Sequence, residues 1–138
     1  ALVVLHTGAS EGLRYLRKRN MQRGSKQRSA SAQLIALFEG ELWRESAAHA
    51  NSMATRLRAA LVDATATGRL TFTQETQSNA VFARLPFAAA ETLRARFGFY
   101  DWAGPFADGT VEVRWMCSWD TTTADVDAFA EAITGALA

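Results

Sequence analysis

Hydrophobic and polar positions follow a helical period in the first half of the chain. Residues 2–5 are wholly apolar, which predicts a strand buried on both faces. Helices are predicted over 11–22, with Ser10 as the N-cap, and over 29–39. The clearest helix is predicted over 41–63, where apolar residues recur every three or four positions along one stripe.

From Gly68 onward the period becomes that of β-strands. Strands are predicted over 70–73, 79–85, 97–100 and 111–117, separated by a helix over 86–96 and a Gly- and Pro-containing loop over 103–109. A last helix follows, capped by Thr122 or Thr123.

This order of elements predicts an α+β fold in which a small antiparallel sheet carries helices packed on one face. We expect two parts. Residues 1–40 are interpreted as the remnant of a larger domain with linking helices, and residues 41–138 as a small C-terminal domain.

Composition narrows the class of protein. The chain has 138 residues, of which 49% are hydrophobic and 21% charged, values typical of a globular domain. No apolar run is long enough to cross a bilayer, so no membrane association is expected. Cys117 is the only cysteine, which excludes an internal disulfide and favours a cytoplasmic location.

The net charge of +1 conceals a basic stretch over residues 14–28 that holds no acidic residue. Such a stretch either is a solvated surface or has an anionic neighbour such as a phosphate, a nucleic acid or an acidic partner. Nucleic acid is not favoured, because Tyr15 is the only aromatic residue for base stacking there and no nucleic-acid motif is present. The basic residues are Arg14, Arg17, Lys18, Arg19, Arg23, Lys26 and Arg28.

Arg114 interrupts a strand of otherwise apolar residues. Val113 and Trp115 are predicted on the opposite face from Arg114. An arginine in this position either faces solvent or binds an anion, and its fork of N–H groups matches a carboxylate in a way that lysine cannot. The residues alone leave both interpretations open.

Arg28 is predicted to stand immediately before a helix whose first turn is 29–31. A helix N-terminus with free N–H groups, hydroxyls and a nearby arginine can bind phosphate, or it can be a basic cap exposed to water. No metal site is predicted, because His6 and His49 are far apart in sequence. Cys117 is interpreted as a buried thiol rather than a nucleophile.

Five segments in order resemble low-specificity L-threonine aldolases, a group of pyridoxal-phosphate-dependent enzymes of fold type I that is related to β-eliminating lyases. The resemblance covers nearly the whole chain. The segments are Ser25-Lys26-Gln27-Arg28-Ser29-Ala30-Ser31-Ala32-Gln33, His49-Ala50-Asn51-Ser52-Met53-Ala54, Asn79-Ala80-Val81-Phe82-Ala83, Phe99-Tyr100-Asp101-Trp102, and Val113-Arg114 through Ser118-Trp119-Asp120-Thr121-Thr122.

The resemblance implies the C-terminal part of an enzyme that cleaves β-hydroxy-α-amino acids such as L-threonine or L-allo-threonine to glycine and an aldehyde. It implies pyridoxal 5'-phosphate as cofactor and a homotetramer as assembly. Arg114 would bind the substrate carboxylate, and Arg28 the cofactor phosphate, with Lys26 and then Lys18 as weaker candidates. Trp115 stands where the family has a small aliphatic residue, and we expect it to reshape the pocket.

The same resemblance implies that the Schiff-base lysine is absent from this chain. Lys18 and Lys26 are the only lysines, and neither stands in the family's Thr-Lys-x-Gly setting, which would lie upstream of Leu2. The chain alone is therefore expected to be inactive and to bind no cofactor. The alternative is a non-catalytic binding or partner subunit that uses the basic stretch over 14–28.

Overall fold

The computed structural model describes residue 8, residues 11–20 and residues 26–138. The strand predicted over 2–5 and the residues from 21 to 25 lie outside the described residues. The chain divides into two compact units, residues 1–41 and residues 42–138. The interpretation of the first part as the remnant of a larger domain stays a prediction.

The described part of the first unit contains two helices, α1 (Leu13–Arg19) and α2 (Gln27–Phe38). The prediction that Ser10 caps the first helix is wrong, because Gly12 is the N-cap, with a φ of 76° that suits glycine. The second helix begins at Gln27 rather than at Ser29. Glutamine and arginine are good helix formers, so the helix extends past the serines that suggested its start.

The second unit contains helices α3 (Leu42–Ala60), α4 (Val62–Thr65), α5 (Phe87–Arg94) and α6 (Thr123–Leu137). The helix predicted over 41–63 is thus divided near Leu61, which is fully buried. Thr122 caps α6 as predicted: its hydroxyl accepts from the Asp125 amide while the Asp125 carboxylate accepts from the Thr122 amide.

The sheet is antiparallel, as predicted, and has the strands β1 (Thr71–Phe72), β2 (Ala80–Pro86), β3 (Tyr100–Ala103) and β4 (Thr110–Met116) in the order β1-β2-β4-β3. The strand predicted over 97–100 is displaced, since β3 begins where that prediction ended. Pairing puts Phe82 opposite Arg114 on one side, and Tyr100 opposite Arg114 on the other.

The core lies between one face of this sheet and helices α3, α5 and α6. Alternation along β4 sends Val111, Val113 and Trp115 into the core, as the period-two pattern predicts. The largest fully buried side chains are Leu61, Leu70, Val81, Leu85, Val111, Val113 and Ile133. The other face of the sheet, here called the open face, therefore carries the strand residues that point away from the core.

Candidate functional site

The open face of the sheet holds aromatic and charged side chains that the core does not cover. Tyr100 is 85% exposed and Trp102 is 51% exposed, and both lie on the edge strand β3. Phe82, Arg84, Glu112 and Arg114 are half-buried on the two central strands. The face therefore combines apolar area with arginine side chains, a composition suited to binding an organic anion.

Arg114 lies in the middle of this face, on the side predicted from the sequence. Its guanidinium carbon is 4.7 Å from the centroid of the Trp102 ring. No hydrogen bond or ion pair of the Arg114 side chain is found within the described ranges 11–20 and 26–138. Among the described residues, the N–H groups of this arginine thus have no protein acceptor.

Arg84 occupies a comparable position two rows away on the same face, and its N–H groups are engaged. Its Nε donates to Thr110 Oγ1 at 2.6 Å, and its Nη2 donates to Asp108 Oδ2 at 2.7 Å. The guanidinium also lies 4.3 Å from the ring centroid of Phe106. Hydrogen bonds from Thr110, with Arg84 adding to them, lower the pKa of Asp108. Arg84 therefore has a structural explanation that Arg114 does not share.

Trp115 does not reshape the surroundings of Arg114, contrary to expectation. Its side chain is 2% exposed on the core face, where its ring centroid lies 5.4 Å from that of Phe129. Neighbouring strand residues point to opposite faces, so proximity in sequence to Arg114 places Trp115 away from it. Cys117 is buried on the same core face, and burial raises the pKa of its thiol, which disfavours a nucleophilic thiolate.

The loop after β4 is fixed by residues of the resembling segments. His49 Nε2 donates to the carbonyl oxygen of Thr121 at 2.7 Å, which ties α3 to the start of α6. Asn79 Nδ2 donates to the Cys117 carbonyl at 2.7 Å, and the Cys117 amide donates back to the Asn79 carbonyl at 2.8 Å. These contacts assign His49 and Asn79 to the framework that holds the end of β4.

The candidates for phosphate binding lie in the first unit. Lys18 is exposed in α1, Lys26 is the N-cap of α2, and Arg28 is exposed in the first turn of α2. The prediction that Arg28 precedes this helix is wrong, because the amides of Ser29 and Ala30 already donate to the Lys26 carbonyl inside it. No acidic residue occupies the first turn of α2, so the helix start keeps its positive character.

Sequence reasoning missed Trp102 and Phe82 as neighbours of Arg114. The ring centroids of these two side chains are 5.3 Å apart with planes inclined at 76°. The alternation of side chains along a strand could have indicated these neighbours, because it puts Tyr100 and Trp102 on one face of the strand. The strand was instead predicted over 97–100, so that Trp102 fell outside it.

Among residue 8 and the ranges 11–20 and 26–138, no group of three or more His, Cys, Asp or Glu side chains could hold a metal ion. Within the same ranges, every helix is too short or too polar to span a bilayer.

Comparison with known proteins shows which proteins the chain is similar to. No model of a known protein family matches the chain. The low-specificity L-threonine aldolase of Pseudomonas sp. (strain NCIMB 10558) is 34% identical over 127 residues, which are 91% of this chain and 34% of that protein. That of Pseudomonas aeruginosa is 35% identical over 122 residues, 88% of this chain and 33% of that protein.

A solved structure gives the same answer for the fold. The threonine aldolase of Leishmania major superimposes with a TM-score of 0.66 at 30% identity, covering 77% of this chain and 30% of that one. The chain thus spans about a third of the length of the curated relatives that it matches. The predicted resemblance is confirmed in sequence and in fold: the chain is homologous to a part of the low-specificity L-threonine aldolases.

Proposed function

We propose that this chain is the C-terminal part of a pyridoxal-phosphate-dependent aldolase that cleaves β-hydroxy-α-amino acids of the threonine type to glycine and an aldehyde. In this proposal Arg114 binds the α-carboxylate of the substrate. The single observation that carries the proposal is an arginine on the open face of the sheet whose N–H groups have no protein partner among the described residues. The homology to threonine aldolases supplies the substrate class.

Desolvation explains why such an arginine needs an anion. Arg114 is half-buried and lies over the Trp102 ring, so its charge is partly removed from water. A charged group in that position is stabilised by an opposite charge that also accepts its hydrogen bonds. An amino-acid carboxylate supplies both, and the two-point fork restricts rotation of the substrate about its carboxylate. That restriction selects which bond at the α-carbon is presented for cleavage.

The residues present fit the phosphate of pyridoxal 5'-phosphate but not its covalent attachment. Arg28 and the weaker candidate Lys26 lie at the exposed start of α2, which has no acidic residue in its first turn. Lys18, the weakest candidate, lies in the last turn of α1. Lys18 and Lys26 are both exposed, whereas a lysine that forms a Schiff base is typically desolvated in an apolar pocket or lies beside another cationic group. When bound, the cofactor supplies an electron sink for the carbanion left by bond cleavage.

The proposal assigns the remaining functions to parts that this chain does not contain. The attachment lysine and the group that takes the proton from the substrate hydroxyl would come from the rest of the enzyme. A homo-oligomer, a tetramer in the resembling family, is included in the proposal because Arg28 would serve a site completed by a second subunit. We therefore expect the 138-residue chain alone to be inactive.

The experiment that tests the proposal compares the isolated chain with the full-length protein that carries it. Glycine and aldehyde release from L-threonine and L-allo-threonine is measured together with the absorbance of bound cofactor. We expect cleavage and a cofactor band from the full-length protein and neither from the isolated chain.

Either of two results would contradict the proposal. Threonine cleavage by the isolated chain would mean that its own residues supply the nucleophile. A full-length protein that binds cofactor without cleaving either substrate would favour the alternative, a non-catalytic partner subunit that uses the basic residues over 14–28.

A further inference from the structure

The surroundings of Arg114 contain a feature that the sequence resemblance does not assign, a contact between its guanidinium and Trp102. We propose that Trp102 is the positioning residue for Arg114: its ring holds the guanidinium by stacking, so that the N–H edge stays ordered for a carboxylate. This inference rests on the proposed function for its consequence in substrate binding. The stacking itself is independent of that function.

The geometry of stacking and the geometry of carboxylate binding are compatible. A guanidinium is planar, and it stacks on an aromatic ring through its face while its N–H groups remain in its plane. A carboxylate binds to those N–H groups along the edge of the same plane. The Trp102 ring centroid lies 4.7 Å from the guanidinium carbon. In our proposal the two planes stack, so that the ring restricts the rotamers of Arg114 and leaves its hydrogen-bonding edge open.

An irregularity in the sheet brings Trp102 to this position. In β3, Asp101 pairs with Val113 and Ala103 pairs with Glu112, although Val113 and Glu112 are adjacent. Trp102 is thus an extra residue without a partner in the register, as in a β-bulge. Bulges redirect side chains and are frequent beside functional sites. Regular pairing would have put Trp102 directly opposite Glu112.

The indole ring has an aromatic neighbour, and the strand residue before it has a charged partner. Phe82 meets it edge to face, with ring centroids 5.3 Å apart. The preceding residue, Asp101, accepts a hydrogen bond from Arg94 of α5, which ties the strand to the helix layer just before the extra residue. A ring fixed in this way is a rigid support for a side chain that is otherwise free to rotate.

The first test is made on this chain by NMR of arginine side chains, with two matched substitutions. Trp102→Leu should remove the ring-current shift of the Arg114 Nε–H signal and lower its order, while leaving Arg84 unchanged. Phe106→Leu removes the equivalent ring beneath Arg84, 4.3 Å from its guanidinium, and should move the Arg84 signal alone. An Arg114 signal equally ordered in Trp102→Leu overturns the inference.

The second test is kinetic and uses the full-length protein. Trp102→Leu should raise KM about three- to tenfold, the value of one partly exposed cation–π contact, with little change in kcat. Trp102→Phe keeps an aromatic face and should restore most of the affinity. Phe106→Leu should leave KM unchanged. If Trp102→Leu unfolds the sheet, Phe82→Leu, which removes the edge support, should give a smaller increase in KM of the same kind.

Arg114→Ala in the same assay separates the two proposals. An increase in KM with Arg114→Ala but not with Trp102→Leu overturns the positioning inference and leaves the proposed function standing. If Arg114→Ala leaves KM unchanged, the proposed carboxylate site is wrong and Trp102 has no role in substrate binding, whatever the NMR signals show.

Discussion

Arg84 and Arg114 lie on the same face of one small sheet, each over an aromatic ring, and their hydrogen-bonding surroundings differ. Arg84 donates to Thr110 and Asp108, whereas the described residues offer Arg114 only the face of Trp102. The first arginine closes the turn between β3 and β4. The second donates no hydrogen bond to the described residues through its guanidinium. Two chemically identical groups in similar positions thus differ in one property, the presence of an internal anion.

This difference distinguishes a charged side chain that stabilises the fold from one that can bind a ligand. A half-buried charge that already has an anionic partner stabilises the fold modestly, because solvent screens the pair and ordering it costs entropy. A half-buried charge without a partner carries an uncompensated desolvation cost that a ligand can relieve. The same substitution at the two positions should therefore affect different measurements.

The largest expected effect follows Arg114→Ala in the full-length protein. Losing a two-point charged contact with the substrate should lower kcat/KM about a hundredfold or more. Arg114→Lys should recover only part of this loss, since a lysine cannot form the planar fork. Steady-state kinetics with L-threonine measures both variants. An unchanged kcat/KM in Arg114→Ala would mean that Arg114, like Arg84, does not bind the substrate.

A smaller effect in a different measurement is expected from Arg84→Ala. Removing its bonds to Thr110 and Asp108 should lower the free energy of unfolding by about 1 kcal/mol. The value of KM should not change, because the arginine donates to the protein itself. Thermal or urea unfolding gives the first quantity and kinetics the second. An increase in KM comparable to that of Arg114→Ala would place both arginines in the binding site.

Much of this face could be predicted from the alternation of residues. In the segment that became β4, apolar and polar side chains alternate with period two from Thr110 to Trp115, which correctly placed Val113 in the core and Arg114 on the other face. The antiparallel sheet, the helices on one face and the cap at Thr122 followed from equally local rules. These features follow from residues that are close together in the sequence, so the sequence alone was enough to predict them.

Contacts between distant residues could not be predicted in the same way. Asp108 is in a loop, and no local pattern states that it will pair with Arg84 rather than with Arg114. The strand predicted over 97–100 ended before Trp102, and the extra residue in the pairing of β3 is a feature that an alternating pattern does not reveal. The expected effect of Trp115 on the pocket failed for the opposite reason, since strict alternation sends it into the core. The role of Arg28 stays a prediction.

The smallest expected effect concerns the pH dependence of Asp108. Its pKa is lowered in the folded chain, first by the Thr110 hydroxyl and then by the Thr110 amide and Arg84. A lowered folded pKa contributes stability that is present above the unfolded value, about 3.9 for aspartate, and is lost as pH falls through the folded pKa. Asp108→Asn should therefore lower Tm near neutral pH, and the difference from wild type should shrink in acid as both side chains become neutral.

Making Asp108→Asn in the Arg84→Ala protein tests how far Asp108 depends on Arg84. Because the Thr110 hydroxyl is the largest cause of the shift, most of the acid-sensitive difference should remain when Asp108→Asn is made in Arg84→Ala. Arg84 would then be a secondary contributor, holding a carboxylate that the turn already stabilises. Thermal unfolding from neutral pH to below the unfolded pKa, in all four combinations, measures this directly. If the difference disappears in Arg84→Ala, the guanidinium and not the threonine fixes Asp108, and the internal anion depends on Arg84 as much as Arg84 depends on it.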